Sequence, residues 1–115
     1  MNADEFITAV KVAVRNAAVM GTISILANPP GRRPSTHLRT ASFFFNSLGT
    51  EQRQQVEAVV SIAVDQAVFG FLAVLDGSRA FESHGKGRLE LRYLGDNEIV
   101  LNSENEPPLH ELYNS

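Results

Sequence analysis

The spacing of apolar residues changes along the chain, and those changes divide it into elements. From Val56 to Leu75 the apolar positions Val56, Val59, Val60, Ala63, Val64, Ala67, Val68, Phe71, Leu72 and Leu75 recur at helical spacing. Thr50 stands where an N-cap belongs, Glu51 places a carboxylate in the first turn, and Asp76-Gly77 offers a left-handed stop. The pattern predicts a long helix over 50–75. Its polar stripe is limited to Glu57, Ser61 and Asp65, and beyond Gln66 it is apolar all round, so it is expected to be covered on more than one side and to form the core. Asp65 would be a general acid or base if buried, but its four-residue spacing from Glu57 and Ser61 assigns it to an exposed stripe. Gly70 costs about 1 kcal/mol inside a helix, which predicts the close approach of another helix there.

Residues 3–20 read as an amphipathic helix with Phe6, Val10, Ala13, Val14, Ala17 and Met20 inward and Glu5, Thr8, Lys11, Arg15 and Asn16 toward water. Val12 and Val19 fall on the polar side, seven residues apart, either as scattered surface valines or as the seam of a partner contact. Gly21 is expected to end the helix or to let it pass close to a neighbour, and Thr22–Leu26 suits either another helical turn or a short strand. Asn28 to Pro34, with three prolines and a glycine, is a loop. Ser35 or Thr36 then caps a second helix running to about Leu48, with Leu38, Ala41, Phe44, Phe45 and Leu48 inward. The run Phe43-Phe44-Phe45 must leave at least one ring off that face.

After Gly77 the glycine-containing stretch Ser78–Gly87 reads as flexible. The period then becomes two: Leu89, Leu91 and Tyr93 alternate with Arg88, Glu90 and Arg92, predicting a half-buried strand. Gly95-Asp96-Asn97 is a turn, and Glu98–Asn102 is the return strand with Ile99 and Leu101 inward. Leu109, Leu112 and Tyr113 would dock one terminal helical turn after Pro107-Pro108. The expected fold is α+β in a single domain over 1–115: three helices with a long central one, a β-hairpin and a short C-terminal helical turn. A lone hairpin is marginal in water, so its apolar face should lie on helices, and an uncovered edge would be open to another copy.

Composition adds limits more than direction. The 115 residues are 43% hydrophobic and 20% charged, as in an ordinary globular protein. There is no cysteine, which excludes disulfides, thiolate nucleophiles and cysteine-based zinc sites and fits a cytoplasmic protein. Asp4 and Glu5 do not suit a signal peptide. Ala17–Ala27 is too short to span a bilayer, and Ala58–Leu75 contains Asp65 and Gln66 without basic flanks, so no membrane span is expected and both runs read as core. The net charge of −3 is unevenly spread: Arg32, Arg33 and Arg39 give residues 29–50 a local +3 without any acid, and Glu98, Glu104, Glu106 and Glu111 give residues 97–115 a local −4.

Candidate chemistry is sparse. The three histidines, His37, His84 and His110, lie in no metal-ligand spacing, so neither a metal site nor a cofactor is expected. Ser78, Glu82, Ser83 and His84 read as a solvated loop rather than a catalytic set. Gly85-x-Gly87 precedes a strand, so no helix N-terminus stands ready for a phosphate there. No catalytic residue is assigned.

The remaining cluster is Arg32, Arg33, His37 and Arg39, the candidate ligand- or partner-binding residues. Guanidinium groups on a loop stiffened by Pro29, Pro30 and Pro34 can hold a carboxylate or phosphate bidentately, unless they are simply solvated or neutralised by the acidic C-terminal segment. The expected function is a non-enzymatic protein-interaction domain, either a homodimer or a small inhibitor-type partner of another protein. Second comes a binder of a small anion or nucleotide, possibly an enzyme acting on one. Nucleic-acid binding is third, disfavoured by net acidity and few aromatics near the arginines.

Overall fold

Most of the ordered backbone lies in two long helical stretches, at residues 3–27 and 50–75. The computed structural model describes residues 1–83 and 87–115; the expectation of flexibility around His84, Gly85 and Lys86, and the readings of His84 and Gly85-x-Gly87, lie outside the described residues. The order of elements is α1 (Ala3–Val10), a π-helical segment (Lys11–Asn16), α2 (Ala17–Ala27), α3 (Thr36–Asn46), α4 (Thr50–Leu75), β1 (Arg92–Leu94), β2 (Glu98–Val100) and α5 (Leu109–Asn114). The fold is α+β: helices, then a two-stranded antiparallel hairpin, then a short terminal helix. The chain groups into two compact units, one of Met1–Val14 with Gln66–Ser115 and one of Arg15–Asp65.

In the first unit, Ile7, Leu72, Leu109 and Tyr113 form the buried cluster, with Phe6, Val10, Val68, Phe69, Leu75 and Leu91 packed around it. The α4 terminus uses Gly77 at φ +78°, a conformation glycine adopts without a Cβ penalty, and its last carbonyls accept from the Gly77 and Ser78 amides. Pairing in the hairpin places Arg92 opposite Val100, Tyr93 opposite Ile99 and Leu94 opposite Glu98. Both strands are shorter than their alternation predicts. Beyond the strands the Leu91 carbonyl still accepts from the Leu101 amide at 2.8 Å, while the Leu91 amide donates to the Asn102 side chain, to Oδ1 at 2.8 Å. The Asn102 amide in turn donates to the Leu75 carbonyl at 2.8 Å and the Leu89 carbonyl at 2.9 Å, tying the hairpin to the end of α4. Of the first strand's predicted inward residues only Leu91 reaches the core, while Leu89 and Tyr93 are exposed; on the return side Leu101 is buried and Ile99 half-buried, as their spacing predicts. On the outer face Arg92 bonds Glu98 and pairs with Glu90 at 2.6 Å. The hydrogen bond to Glu98, with the attraction of Glu90 and Glu98, raises the Arg92 guanidinium above its ordinary pKa.

The second unit is built from the end of the first helical stretch, α3 and the start of α4. Ser35 caps α3, its hydroxyl accepting from the Leu38 amide at 3.1 Å. Phe45 and Val19 are buried. Asn46 Nδ2 donates to the Ala27 carbonyl at 3.1 Å, and Arg53 donates to the Leu48 and Asn46 carbonyls at 3.0 Å each. Carbonyls left without intrahelical partners at the ends of α2 and α3 thereby receive donors. Arg53 also lies over the Phe45 ring, 5.3 Å from its centroid.

Several sequence expectations are corrected. The first helical stretch does not stop at Gly21 but continues to Ala27, which settles 22–26 as helix; Gly21 is exposed with open space where a Cβ would stand, so nothing approaches it. The π-helical segment spends more residues per turn than an α-helix, so a face projected at α-helical spacing loses phase across it. Met20 consequently stands 71% exposed, while Val19, placed on the polar side by that projection, is buried; Val14 keeps the face of Phe6 and Val10 and is 49% exposed. Val12 is 63% exposed, so Val12 and Val19 form no common seam. Phe44 is exposed with Phe43, leaving Phe45 as the one buried ring of the three. Within α4 only Gly70, Leu72 and Ala73 are buried. The long helix is therefore not covered on more than one side along its length, and Val59, Ile62 and Phe71 are about two-thirds exposed, at 66%, 64% and 65%. Gly70 is approached by no helix; a Cβ there would meet the Arg79 guanidinium. By length and composition alone, residues 3–27 and 50–75 are each long and apolar enough to cross a membrane, a test that the buried core helix of a soluble protein also meets.

Candidate functional site

The basic residues come first because the sequence singles them out. Gly31 takes φ +84°, turning the proline loop so that Arg32 and Arg33 project into solvent. His37 is exposed in the first turn of α3, and Arg39 one residue past that turn donates to Thr36 Oγ1 at 3.3 Å. Arg39 lines an open depression of about 290 Å³ with Thr36, Thr40 and Phe43, and Arg32, Arg33 and His37 are not part of that lining. The described residues thus supply one guanidinium, two hydroxyls and an exposed ring, all solvated. Such a surface can touch an anion, but it has no buried donor to fix one. In the C-terminal segment Glu104 pairs with Arg88 at 3.2 Å.

Asp65 is only partly exposed, and its partner is Arg15, which the projection had facing water. Arg15 Nε and Nη2 meet the two carboxylate oxygens at 3.0 and 3.3 Å, a forked arrangement. A carboxylate held this way serves as the acceptor of the guanidinium fork.

The structure also brings together a pair that the sequence does not advertise. Asp76 and His110 lie 34 residues apart, yet Asp76 Oδ2 accepts from His110 Nδ1 at 2.8 Å and from the His110 backbone amide at 2.9 Å. The Asp76 side chain is 4% exposed, and the His110 ring stands edge-on to Phe69 with centroids 5.4 Å apart. An ionised carboxylate only accepts, so Nδ1 carries the hydrogen. An aspartate orienting a histidine is half of a nucleophile-activating set. The Ser115 hydroxyl donates to the Leu112 carbonyl. The arrangement fits a clamp that caps α5 and anchors it. Among the described residues no group of three or more acids and histidines is placed to hold a metal.

One further surface feature is uniformly apolar. Phe6, Val10 and Val14 from the first helical stretch and Val68, Phe71 and Leu75 from α4 are the main walls of a groove of about 370 Å³. It contains no polar side chain, so it can exclude water but cannot orient a polar substrate. With Phe71 65% and Val14 49% exposed, its rim stands open. Its residues repeat at helical spacing and were visible as such in the sequence; their exposure was not. Comparison with protein-family models, with curated proteins and with solved structures finds no match for this chain.

Proposed function

We propose that this chain is a non-enzymatic protein-interaction domain, which self-associates or covers an apolar surface of another protein. The observation that carries the reading is the open groove walled by Phe6, Val10, Val14, Val68, Phe71 and Leu75, apolar throughout and rimmed by exposed rings and branched chains. Contiguous apolar surface of this kind, with no polar group to position a small molecule, suits apolar side chains of a partner. Light scattering over a hundredfold concentration range tests self-association directly. A mass that rises with concentration supports it. A monomer throughout, together with no change in probe-dye binding to the groove in Phe71→Asp, counts against the reading.

A second reading rests on the depression at Arg39, Thr36 and Thr40, which offers donors to a small anion or nucleotide. Thermal stabilisation by phosphate-bearing compounds, lost in Arg39→Ala, would transfer the assignment to it.

A further inference from the structure

The exposed face of α4 between Gln55 and Gln66 is self-complementary. Gln55, Val59, Ile62 and Gln66 step along the helix by four, three and four residues, the heptad spacing of a helix–helix seam. Ala58 and Ala63 flank the central pair, and all six residues are exposed. Reversing the direction of the helix about the point between Val60 and Ser61 exchanges Gln55 with Gln66, Ala58 with Ala63 and Val59 with Ile62. The stripe therefore reads alike in both directions. The same face carries no charge: the only acids between its ends are Glu57 and Asp65, both off the stripe, and Asp65 is engaged by Arg15.

We infer that this stripe pairs with the same stripe of a second copy, antiparallel and about a two-fold axis at its centre. The inference rests on the interaction-domain reading and names its partner. A two-fold axis at that point brings each residue against its counterpart on the other side of the centre, and here those counterparts are Gln with Gln, Ala with Ala and Val with Ile. Val59 lies against Ile62 of the other copy, apolar on apolar. Gln55 lies against Gln66 of the other copy, where each amide can both donate and accept. Alanines on both flanks let the backbones approach, and antiparallel helices set their dipoles in opposition. A single charge of fixed sign on the stripe would oppose a copy of itself, and none is present. A seam of this length is small beside a standard interface of roughly 800 Å² per partner, so the dimer depends on concentration.

The absence of native cysteine makes the register directly readable. Gln55→Cys chains and Gln66→Cys chains are mixed, treated with a short thiol cross-linker near the dissociation constant, and resolved by mass. The antiparallel seam predicts abundant 55-to-66 products and few 55-to-55 or 66-to-66 products. Homotypic products of equal or greater yield would overturn it, because they denote a parallel or random encounter. In parallel, light scattering compares the wild type with Val59→Glu/Ile62→Glu, whose sites are exposed and whose folding is checked by circular dichroism. The dissociation constant is expected to rise about a hundredfold or more. A variant as dimeric as the wild type would refute the seam but keep self-association through another face. A wild type monomeric across the whole range removes the seam and self-association together.

Discussion

Replacing Asp76 by alanine removes one oxygen that serves two donors. Asp76 Oδ2 accepts the His110 backbone amide at 2.9 Å and the His110 ring nitrogen at 2.8 Å, in a side chain only 4% exposed. A hydrogen bond to a charged acceptor contributes about 1.5–3 kcal/mol, and loss of a helix N-terminal acceptor typically costs about 1 kcal/mol. The two losses share one oxygen and do not add fully, so Asp76→Ala is expected to destabilise by about 3 kcal/mol. With an unfolding entropy of about 2.1 cal/mol/K per residue, that lowers the Tm of this 115-residue chain by about 12 °C. Asp76→Asn keeps an acceptor in place and should cost about 1 kcal/mol. Denaturant unfolding measures both, and a cycle with His110→Ala isolates the coupling, expected at about 1–2 kcal/mol. An Asp76→Ala midpoint within about 0.5 kcal/mol of wild type at unchanged slope would refute the clamp. Coupling near zero in the cycle would do the same for the ring contact.

Three other substitutions probe distinct features. Leu109, the one large side chain with no exposure among the described residues, should cost about 2–5 kcal/mol as Leu109→Ala in equilibrium unfolding. Asn102→Ala deprives the Leu91 amide and the Leu75 and Leu89 carbonyls of their partner, and should cost about 2 kcal/mol. Hydrogen exchange at Leu91 and Leu101 should accelerate in that variant, while exchange within α3 stays as in wild type. Gly70→Ala gains helix propensity of up to about 1 kcal/mol, and its methyl meets only the movable end of Arg79. It should be neutral or raise Tm by up to about 4 °C, and a loss of more than 1 kcal/mol would mean that the guanidinium is fixed where it lies.

What the sequence made legible is what depends on neighbours in the chain. The span of α4, the Ser35 cap, the Gly77 stop and the docking of Leu109, Leu112 and Tyr113 all follow from local spacing and capping chemistry. The long-range partners were not legible. Nothing in the chain links Asp76 to His110, Arg15 to Asp65 or Asn102 to Leu75, because hydrogen bonding has no period. The π-helical segment defeated the projection of the first helical stretch, since residue type alone does not signal a change of helical pitch. Exposure misled most. Apolar residues on α4 were read as buried because hydrophobicity reports a tendency to be covered, and here Val59, Ile62 and Phe71 stand exposed. Of the residues proposed for ligand or partner contact, Arg39 lines the depression with Thr36, Thr40 and Phe43, while Arg32, Arg33 and His37 are exposed outside that lining.

The placement of α5 has a consequence for the order in which the chain folds. Six residues are too few to hold a helix in isolation, because nucleation fixes several dihedral angles before propagation returns any gain. The amide at its start finds its acceptor on Asp76, and its apolar residues close on Ile7 and Leu72, far away in sequence. Closing those loops carries an entropic cost that is recovered only once the end of α4 is in place. α5 is thus a late element. Truncations of Leu109 and Tyr113 should speed unfolding and leave the folding rate nearly unchanged, and the last residues of the chain should report the completion of the core in time-resolved protection experiments.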